Sequence, residues 1–391
     1  MTSWLTAETV LARLQLKPQT LYAYVSRGRI EARPDESDAR RSLYRASDVA
    51  KLERRKARGR RQAAVAEDAI AWGEPVLASS ITTIARGKLW YRGQDAEALA
   101  GTARLEDVAR LLWACGQERF PAQDNRIAPG RAHDRMFQAL AWRAATSPAM
   151  RGRRPEALYF EAAALLDLLV DAVAGGPGQG PIHDRLARAW GCDAAGADLI
   201  RCALVLLADH ELNASTFAAR VTASTGASLA ACALAGLAAL SGPLHGGMSH
   251  RVQVLVDEAR RLGPDAAVAA RLAMGANLPG FGHPLYPEGD PRARRLLGAM
   301  QPHPDLAALE TAVRLATGEK ANIDFALTAL TDLLHLPADA AFQIFAVARC
   351  TGWIAHAMEQ SRTGALIRPR ARYVGPAPGS TMSDIDRQGG E

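Results

Sequence analysis

Three stretches of this chain, Pro155–Ala174, Asp198–Asp209 and Ser228–Leu240, are built largely from alanine and leucine and have the length and period of helices. Strand-like alternation is scarce outside residues 78–93, ASSITTIARGKLWYRG. The chain is therefore expected to be mainly α. With 391 residues, 48% of them hydrophobic, it can bury a large core in two or three domains, which excludes a disordered protein. The longest apolar run, Ala227–Leu240, is too short to span a bilayer and rich in small residues, so it reads as a tightly packed helix. No membrane association is expected. The start of the chain lacks a cationic segment followed by an apolar one, so no secretory signal is expected. Cys115, Cys192, Cys202, Cys232 and Cys350 are odd in number, far apart and without a CxxC pair. They point to a reducing, cytoplasmic compartment and to neither a disulfide framework nor a zinc ribbon.

The net charge of +6 is unevenly placed. Residues 1–61 hold 15 Lys and Arg against seven Asp and Glu, a local +8 that leaves −2 for the remainder. This predicts a basic module on a slightly acidic body. Within residues 1–62, Thr6 is placed to cap a helix bearing Val10, Leu11 and Leu14. Leu16-Lys17 makes a turn, and Pro18 opens a second helix that Gly28 ends. Leu21 and Val25 face its core. Gln19, Thr20, Tyr24 and Arg27 are the candidate DNA-contacting side chains. A polar hairpin turn, Leu43-Tyr44 and a Ser47-capped helix follow. The order resembles MerR- and excisionase-like winged helix-turn-helix modules, which implies possible DNA binding through residues 1–62. The run Arg54–Arg61 would lie beside the duplex phosphates. Residues 63–72 read as a linker, and residues 377–391 as a disordered tail. The glycine-rich loop 175–181 follows no strand and lacks the spacing of a phosphate loop.

Chemistry concentrates where titratable residues stand among Gly, Pro and apolar neighbours: LADHELNASTF around His210, GPLHGGMSH around His245, LPGFGHPLYPEGDPRAR around His283 and Arg292, ANIDFAL around Asp324, and the arginines Arg349 and Arg368. Gly246-Gly247 and Gly280/Gly282 are expected to open the backbone to a ligand. The helix start after His245 would favour a neutral imidazole. Histidines, an aspartate and several arginines suit an anionic substrate and acid–base chemistry at carbon.

In order and spacing these segments resemble those of the citrate synthases, over about 300 residues. WYRG at 90–93, LEDVARLLW, ADHELNAST, LHGG, PGFGH with its DPR, NIDF and a late RPR follow the order of that family. The resemblance implies an all-helical large domain with a smaller helical domain, residues about 250–348, closing over the substrates, all within 73–376. It implies condensation of acetyl-CoA with oxaloacetate. Asp324 would be the base, His245 the stabiliser of the enol, and His283 the donor to the ketone. His210, Arg292, Arg349 and Arg368 would hold the dicarboxylate, with Arg368 reaching across a homodimer. Pro279, Gly280, Phe281, Gly282, Arg294 and Lys320 are the candidate CoA contacts. No metal or cofactor is implied, since the CoA thioester is a substrate. The sequence departs from the family at Pro284, at Pro287, where a basic residue is common, and at Met248-Ser249-His250. These departures leave propionyl-CoA open as substrate, giving 2-methylcitrate, and the added N-terminal module leaves open a DNA-binding regulator whose synthase-like body senses metabolites.

Overall fold

The computed structural model describes residues 4–14, 21, 24–25, 30–35, 38, 41–50, 77–116, 125, 127–371 and 373–375. Gln19, Thr20, Arg27, the basic run 54–61, the linker 63–72 and the tail 377–391 lie outside them. The chain divides into two compact units, Met1–Ala78 and Ser79–Glu391.

In the first unit, β1 (Trp4–Thr6), β2 (Ala32–Pro34) and β3 (Ser42–Arg45) form an antiparallel sheet in the order β1-β3-β2, and α1 (Ala7–Leu14) follows β1 directly. Thr6 caps α1 as expected, its Oγ1 accepting from the Thr9 N–H at 3.4 Å. Val10 and Leu14 join Leu21, Ile30, Tyr44 and Val49 in a small core, against which Tyr24 and Val25 pack while partly buried. The polar turn closes between β2 and β3, where the Asp35 N–H donates to the Arg41 carbonyl at 2.9 Å. Two details differ from the sequence reading. At three residues β1 is too short to show alternation. It is held by pairing with β3 and by the Arg33 guanidinium lying 4.5 Å from the Trp4 ring centre. The helical residues after β3 begin at 46, so Ser47 sits inside the first turn and not at its cap.

The second unit opens with β4 (Thr82–Ala85) and β5 (Lys88–Tyr91), within the stretch whose alternation reads as strand, and with the two-residue β6 (Gln94–Asp95) just beyond it. Arg86 and Gly87, at φ 54° and 70°, make the two-residue turn whose twist suits a hairpin. Helices follow: α2 (Ala96–Thr102), α3 (Leu105–Trp113), α4 (Ala132–Thr146), α5 (Pro155–Ala174), α6 (Ile182–Ala189), α7 (Ala194–Leu207), α8 (Ala214–Ser224), α9 (Leu229–Leu240), α10 (Met248–Leu262), α11 (Pro264–Ala273), α12 (Pro291–Leu297), α13 (Pro304–Thr317), α14 (Ile323–Leu333) and α15 (Ala340–Thr363). Their starts carry the expected chemistry. Asp193, Asn213, Ser228 and Asn322 accept first-turn amides, and proline stands in the first turn of α5, α11, α12 and α13. No helix is long and apolar enough to cross a membrane, among the described residues.

The central element is α15, which packs on α3, α5, α7, α8 and α9. A Cβ on Gly236 of α9 would lie 2.5 Å from the Trp353 ring, so the small residues of that apolar run serve close helix approach. Gly352 of α15 donates its N–H to the Ala208 carbonyl at 3.0 Å, and a Cβ there would collide with Asp209. Tyr91 Oη lies within 3.1 Å of the Val205 and Leu206 carbonyls, tying the hairpin to the end of α7. These contacts fix the loop that carries His210. Helices α10–α14 pack chiefly on one another, with α12 reaching α7 and α14 reaching α15.

Candidate active site

All but one of the catalytic and dicarboxylate candidates sit at or near the end of a helix; Arg349 stands inside one. His210 lies between α7 and α8, and His245 in the turn between α9 and α10. His283 lies in the loop before α12, Arg292 and Asp324 in the first turns of α12 and α14, and Arg349 on α15. The His283 loop and the start of α14 are stitched together. Phe281 and Ala321 form an antiparallel bridge. The Gly282 N–H donates to the Lys320 carbonyl at 2.9 Å, and the Asn322 N–H to the Gly280 carbonyl at 2.8 Å. Asn322 Nδ2 adds a bond to the Gly282 carbonyl at 3.0 Å.

Around the dicarboxylate candidates, Tyr286 Oη lies 2.9 Å from His210 Nε2. The His283 ring centre is 5.0 Å from that of Tyr286 and 5.3 Å from that of His210. Arg292 is buried and donates from Nε and Nη2 to the two oxygens of Asp290, at 3.0 and 2.8 Å. Asp290 also accepts from the Ile323 N–H at 3.1 Å, so the partner of Arg292 is fixed to the helix that bears Asp324. Arg349 is buried as well. Its Nε donates to the Leu207 carbonyl at 2.9 Å, and Nη2 has no partner among the described residues. Burial lowers its pKa to about 10, partly opposed by Asp209, so it stays charged at neutral pH. Asp209 in turn lies 3.1 Å from His356 Nε2, and His356 Nδ1 faces Arg220 Nη1 at 3.2 Å.

The titrating groups are tuned by the same surroundings. Burial, then the positive charges of Arg292 and Arg349, hold His210 neutral, with a pKa well below the ordinary imidazole value. Burial lowers His283 to about 4, with Arg292 adding to the shift. Burial and Arg349 lower His245 to about 4. Burial raises Asp324 to about 7, against the pull of Arg292. A carboxyl that titrates near neutrality is matched to proton abstraction, because it is both ionisable and basic there.

Hydrogen bonds assign the protons. His283 Nδ1 accepts from the Leu285 N–H at 3.2 Å, so its single proton is on Nε2. His245 Nε2 lies 2.8 Å from Ser215 Oγ. That hydroxyl also receives the Trp353 indole N–H at 3.1 Å and donates to Asn213 Oδ1 at 2.7 Å. Asn213 is oriented by accepting the Thr216 N–H, so its Oδ1 can only accept. With one serine proton directed to Asn213, His245 carries its own proton on Nε2 and leaves Nδ1 bare. A Ser215→Ala variant removes this hydroxyl. We expect turnover to fall about tenfold to a hundredfold while dicarboxylate affinity stays within about twofold, measured as a split between kcat and KM.

The structure thus brings His210, His245, His283, Arg292, Asp324 and Arg349 into one connected cluster. Arg368 is exposed beyond α15 and touches none of them in a single chain. Among the CoA candidates, Pro279 and Gly280 are buried, Phe281 stacks on Phe325 with ring centres 4.9 Å apart, and Gly282 lies against Glu319. Arg294 pairs with Glu97 at 2.9 Å, and Lys320 donates to the Glu288 carbonyl at 2.8 Å. Two of the glycines also have a packing reason. A Cβ on Gly246 would meet Leu240 at 2.7 Å, and one on Gly280, at φ 87°, would meet Val252 at 2.9 Å. At these two positions the absent side chain lets the chain pack closely on itself. Residue-by-residue reading also missed Tyr286, Asp290, Ser215 and Asn213. Each stands inside a motif already singled out, so the signal was present in the aromatic between Pro284 and Pro287, the acid of DPR, and the polar pair of NAST.

Fold and site together define a helical protein with a buried, charge-balanced acid–base centre. Residues 161–370 match the family model for the citrate synthase C-terminal domain. Citrate synthase 2 of Bacillus subtilis is 39% identical over 185 residues, 44% of this chain and 50% of that one. The citrate synthase of Mycolicibacterium smegmatis is 30% identical over 334 residues, 73% of this chain and 89% of that one. The 2-methylcitrate synthase of Shewanella oneidensis is 35% identical over 199 residues, 47% of this chain and 52% of that one. The crystal structure of citrate synthase from Thermotoga maritima superposes with a TM-score of 0.63 at 26% identity, covering 79% of this chain and 96% of that one. The chain belongs to the citrate synthase family. It spans about half the length of several of the curated relatives it matches.

Proposed function

We propose that the protein condenses acetyl-CoA with oxaloacetate to give citrate and CoA. The observation that carries this reading is the buried carboxyl of Asp324, raised to about 7, whose buried arginine neighbours Arg292 and Arg349 also act on the neutral imidazoles of His283 and His245. In this reading the Asp324 carboxylate takes a proton from the acyl α-carbon. His245 donates a hydrogen bond to the thioester oxygen as negative charge develops there. That role needs the proton on Nδ1, so the Ser215 hydroxyl turns from Asn213 to His245 Nε2, while Asn213 keeps the Thr216 amide. The enol carbon attacks the oxaloacetate ketone, and His283 Nε2 supplies the proton to the new hydroxyl. Water then cleaves the citryl thioester, releasing citrate and the free thiol of CoA. Arg292 and Arg349 bind the dicarboxylate with charge-assisted bonds. Pro279–Gly282 with Lys320 and Arg294 serve the CoA side. The test is release of free thiol from acetyl-CoA that depends on oxaloacetate. Release from neither acetyl-CoA nor propionyl-CoA overturns the reading.

Propionyl-CoA is a second substrate candidate, supported by the likeness to a 2-methylcitrate synthase and by the altered residues Pro287 and Met248–His250. One methylene in an apolar pocket discriminates by only about 1–3 kcal/mol, so relative kcat/KM for the two thioesters decides between them.

The assembly we propose is a homodimer in which Arg368 completes the partner's site. Its exposure in a single chain, with Trp142 and Phe160 61% and 55% exposed on α4 and α5, supports this. Mixing Arg368→Ala and His283→Ala proteins should restore part of the activity that each lacks. No rescue despite demonstrated subunit exchange overturns the role in trans. For residues 1–62 we propose DNA binding, supported by the local +8 charge and the sheet and helix order of the first unit. Salt-sensitive retention of duplex DNA by the full chain, lost on removing residues 1–62, is the expected result.

A further inference from the structure

Tyr286 touches three of the candidate site residues at once. Its Oη lies 2.9 Å from His210 Nε2, its ring centre is 5.0 Å from that of His283, and Arg292 Cζ stands over its ring face, 5.6 Å from the centre. The side chain is buried, and the backbone that aims it is rigid. The Tyr286 N–H donates to the His283 carbonyl at 2.9 Å, and the Gly289 N–H donates to the Tyr286 carbonyl at 2.9 Å. Tyr286 therefore ends one reverse turn, His283–Tyr286, and begins the next, Tyr286–Gly289. Pro284 and Pro287 each occupy the second position of a turn, where the fixed φ of proline is favoured. Gly289 closes the second turn at φ 108°. The two prolines that depart from the citrate synthase pattern thus hold Tyr286 from both sides.

The protons in this contact follow from what each group can do. Burial raises the Tyr286 phenol above its ordinary value, so it keeps its proton. His210 is neutral and carries a single proton on one of its two ring nitrogens. A substrate carboxylate only accepts, so the imidazole nitrogen that meets it must be the protonated one. Nε2 is taken up by Tyr286. Nδ1 has no partner among the described residues and is not sealed from solvent, so it is the nitrogen open to a ligand. A proton on Nδ1 leaves Nε2 bare, and the phenol then donates to it. The bond made at one imidazole nitrogen sets which tautomer is present. The face of the same ring attracts the Arg292 cation, whose Nε and Nη2 are already held by Asp290.

We propose that Tyr286 is a positioning residue for the dicarboxylate site: its hydroxyl donates to His210 Nε2 and keeps the His210 proton on Nδ1, where it is offered to a substrate carboxylate, while its ring face seats Arg292. This rests on the reading of the cluster as an oxaloacetate site. Tyr286 itself touches no reacting atom and acts through His210.

Nitrogen NMR of the full chain, labelled at histidine, tests it, with the His210 signals assigned by their absence from His210→Gln. In wild type, Nδ1 of His210 should be the protonated nitrogen and Nε2 the bare one. A proton on Nε2 in wild type overturns the proposal, and that measurement needs no variant at Tyr286. Tyr286→Phe keeps the ring and its packing, and its melting curve should stay close to that of wild type. In it the His210 proton should move to Nε2 or divide between the two nitrogens. Oxaloacetate binding to Tyr286→Phe, read by calorimetry without acyl-CoA, should weaken about tenfold, and the oxaloacetate KM should rise to match while kcat stays within about threefold. Oxaloacetate affinity within about twofold of wild type overturns the proposal, as does a loss confined to kcat. Added to His210→Gln, the Tyr286→Phe change should cost less than about twofold further, because the hydroxyl acts through His210. Full additivity of the two substitutions overturns it. If wild type releases no thiol that depends on oxaloacetate, the synthase reading falls, and the proton position on His210 still decides the role of Tyr286.

Discussion

Asp324→Asn should lower oxaloacetate-dependent thiol release by about 10²- to 10⁴-fold, the range expected when a positioned general base is removed. The variant keeps the shape of the side chain and the Asn322 cap of α14, so the loss is chemical. The same substitution should act on stability with a definite sign. Asp324 titrates at about 7 in the folded chain and at its ordinary 3.8 when unfolded. Between those values the folded state holds a proton that the unfolded chain has released, so wild-type stability falls as the pH rises from about 4 to 7. Asparagine removes that fall. The melting temperature of the variant relative to wild type should therefore be higher at pH 8 than at pH 5. A flat difference would mean that the carboxyl is not held at a raised pKa. Wild-type rates at low acyl-CoA should rise through about pH 7 as the base ionises.

His245→Ala should cost about 10²- to 10³-fold in kcat, the loss typical of deleting one donor to a developing oxyanion. Because His245 is neutral, with burial and Arg349 lowering it to about 4, its contribution should be independent of pH between 6 and 9. A wild-type-to-variant ratio that changes tenfold across that interval would assign it a different role. Binding of the dicarboxylate, measured without acyl-CoA, should survive this substitution, since His210, Arg292 and Arg349 are on other elements.

The helices of the second unit were legible from the sequence because their apolar runs, caps and prolines all agree: Asn213, Ser228 and Asn322 cap where the pattern begins, and Pro155 opens α5. The histidine and aspartate motifs were legible because glycine and proline set them apart. What sequence could not reveal is pairing between distant segments. Ser215 and Trp353 are 138 residues apart and both serve His245 through one hydroxyl. Asp290 is two residues from Arg292 but also holds the amide of Ile323. Glycines are ambiguous for a related reason. Nothing in the letters distinguishes Gly246 kept small for Leu240 from a glycine kept small for a substrate. Arg368 was named from its motif, and its exposure in one chain follows from its place beyond the last packed helix.

The bridge between Phe281 and Ala321 bears on how such proteins can diverge or be re-engineered. The segment 279–292 and the segment 319–325 share main-chain hydrogen bonds, a ring pair and the Asp290 carboxylate. They form one structural block. Chimeras that exchange both segments with a relative should keep His283 and Asp324 in register. Chimeras that exchange only one should lose that alignment even when every titrating residue is retained.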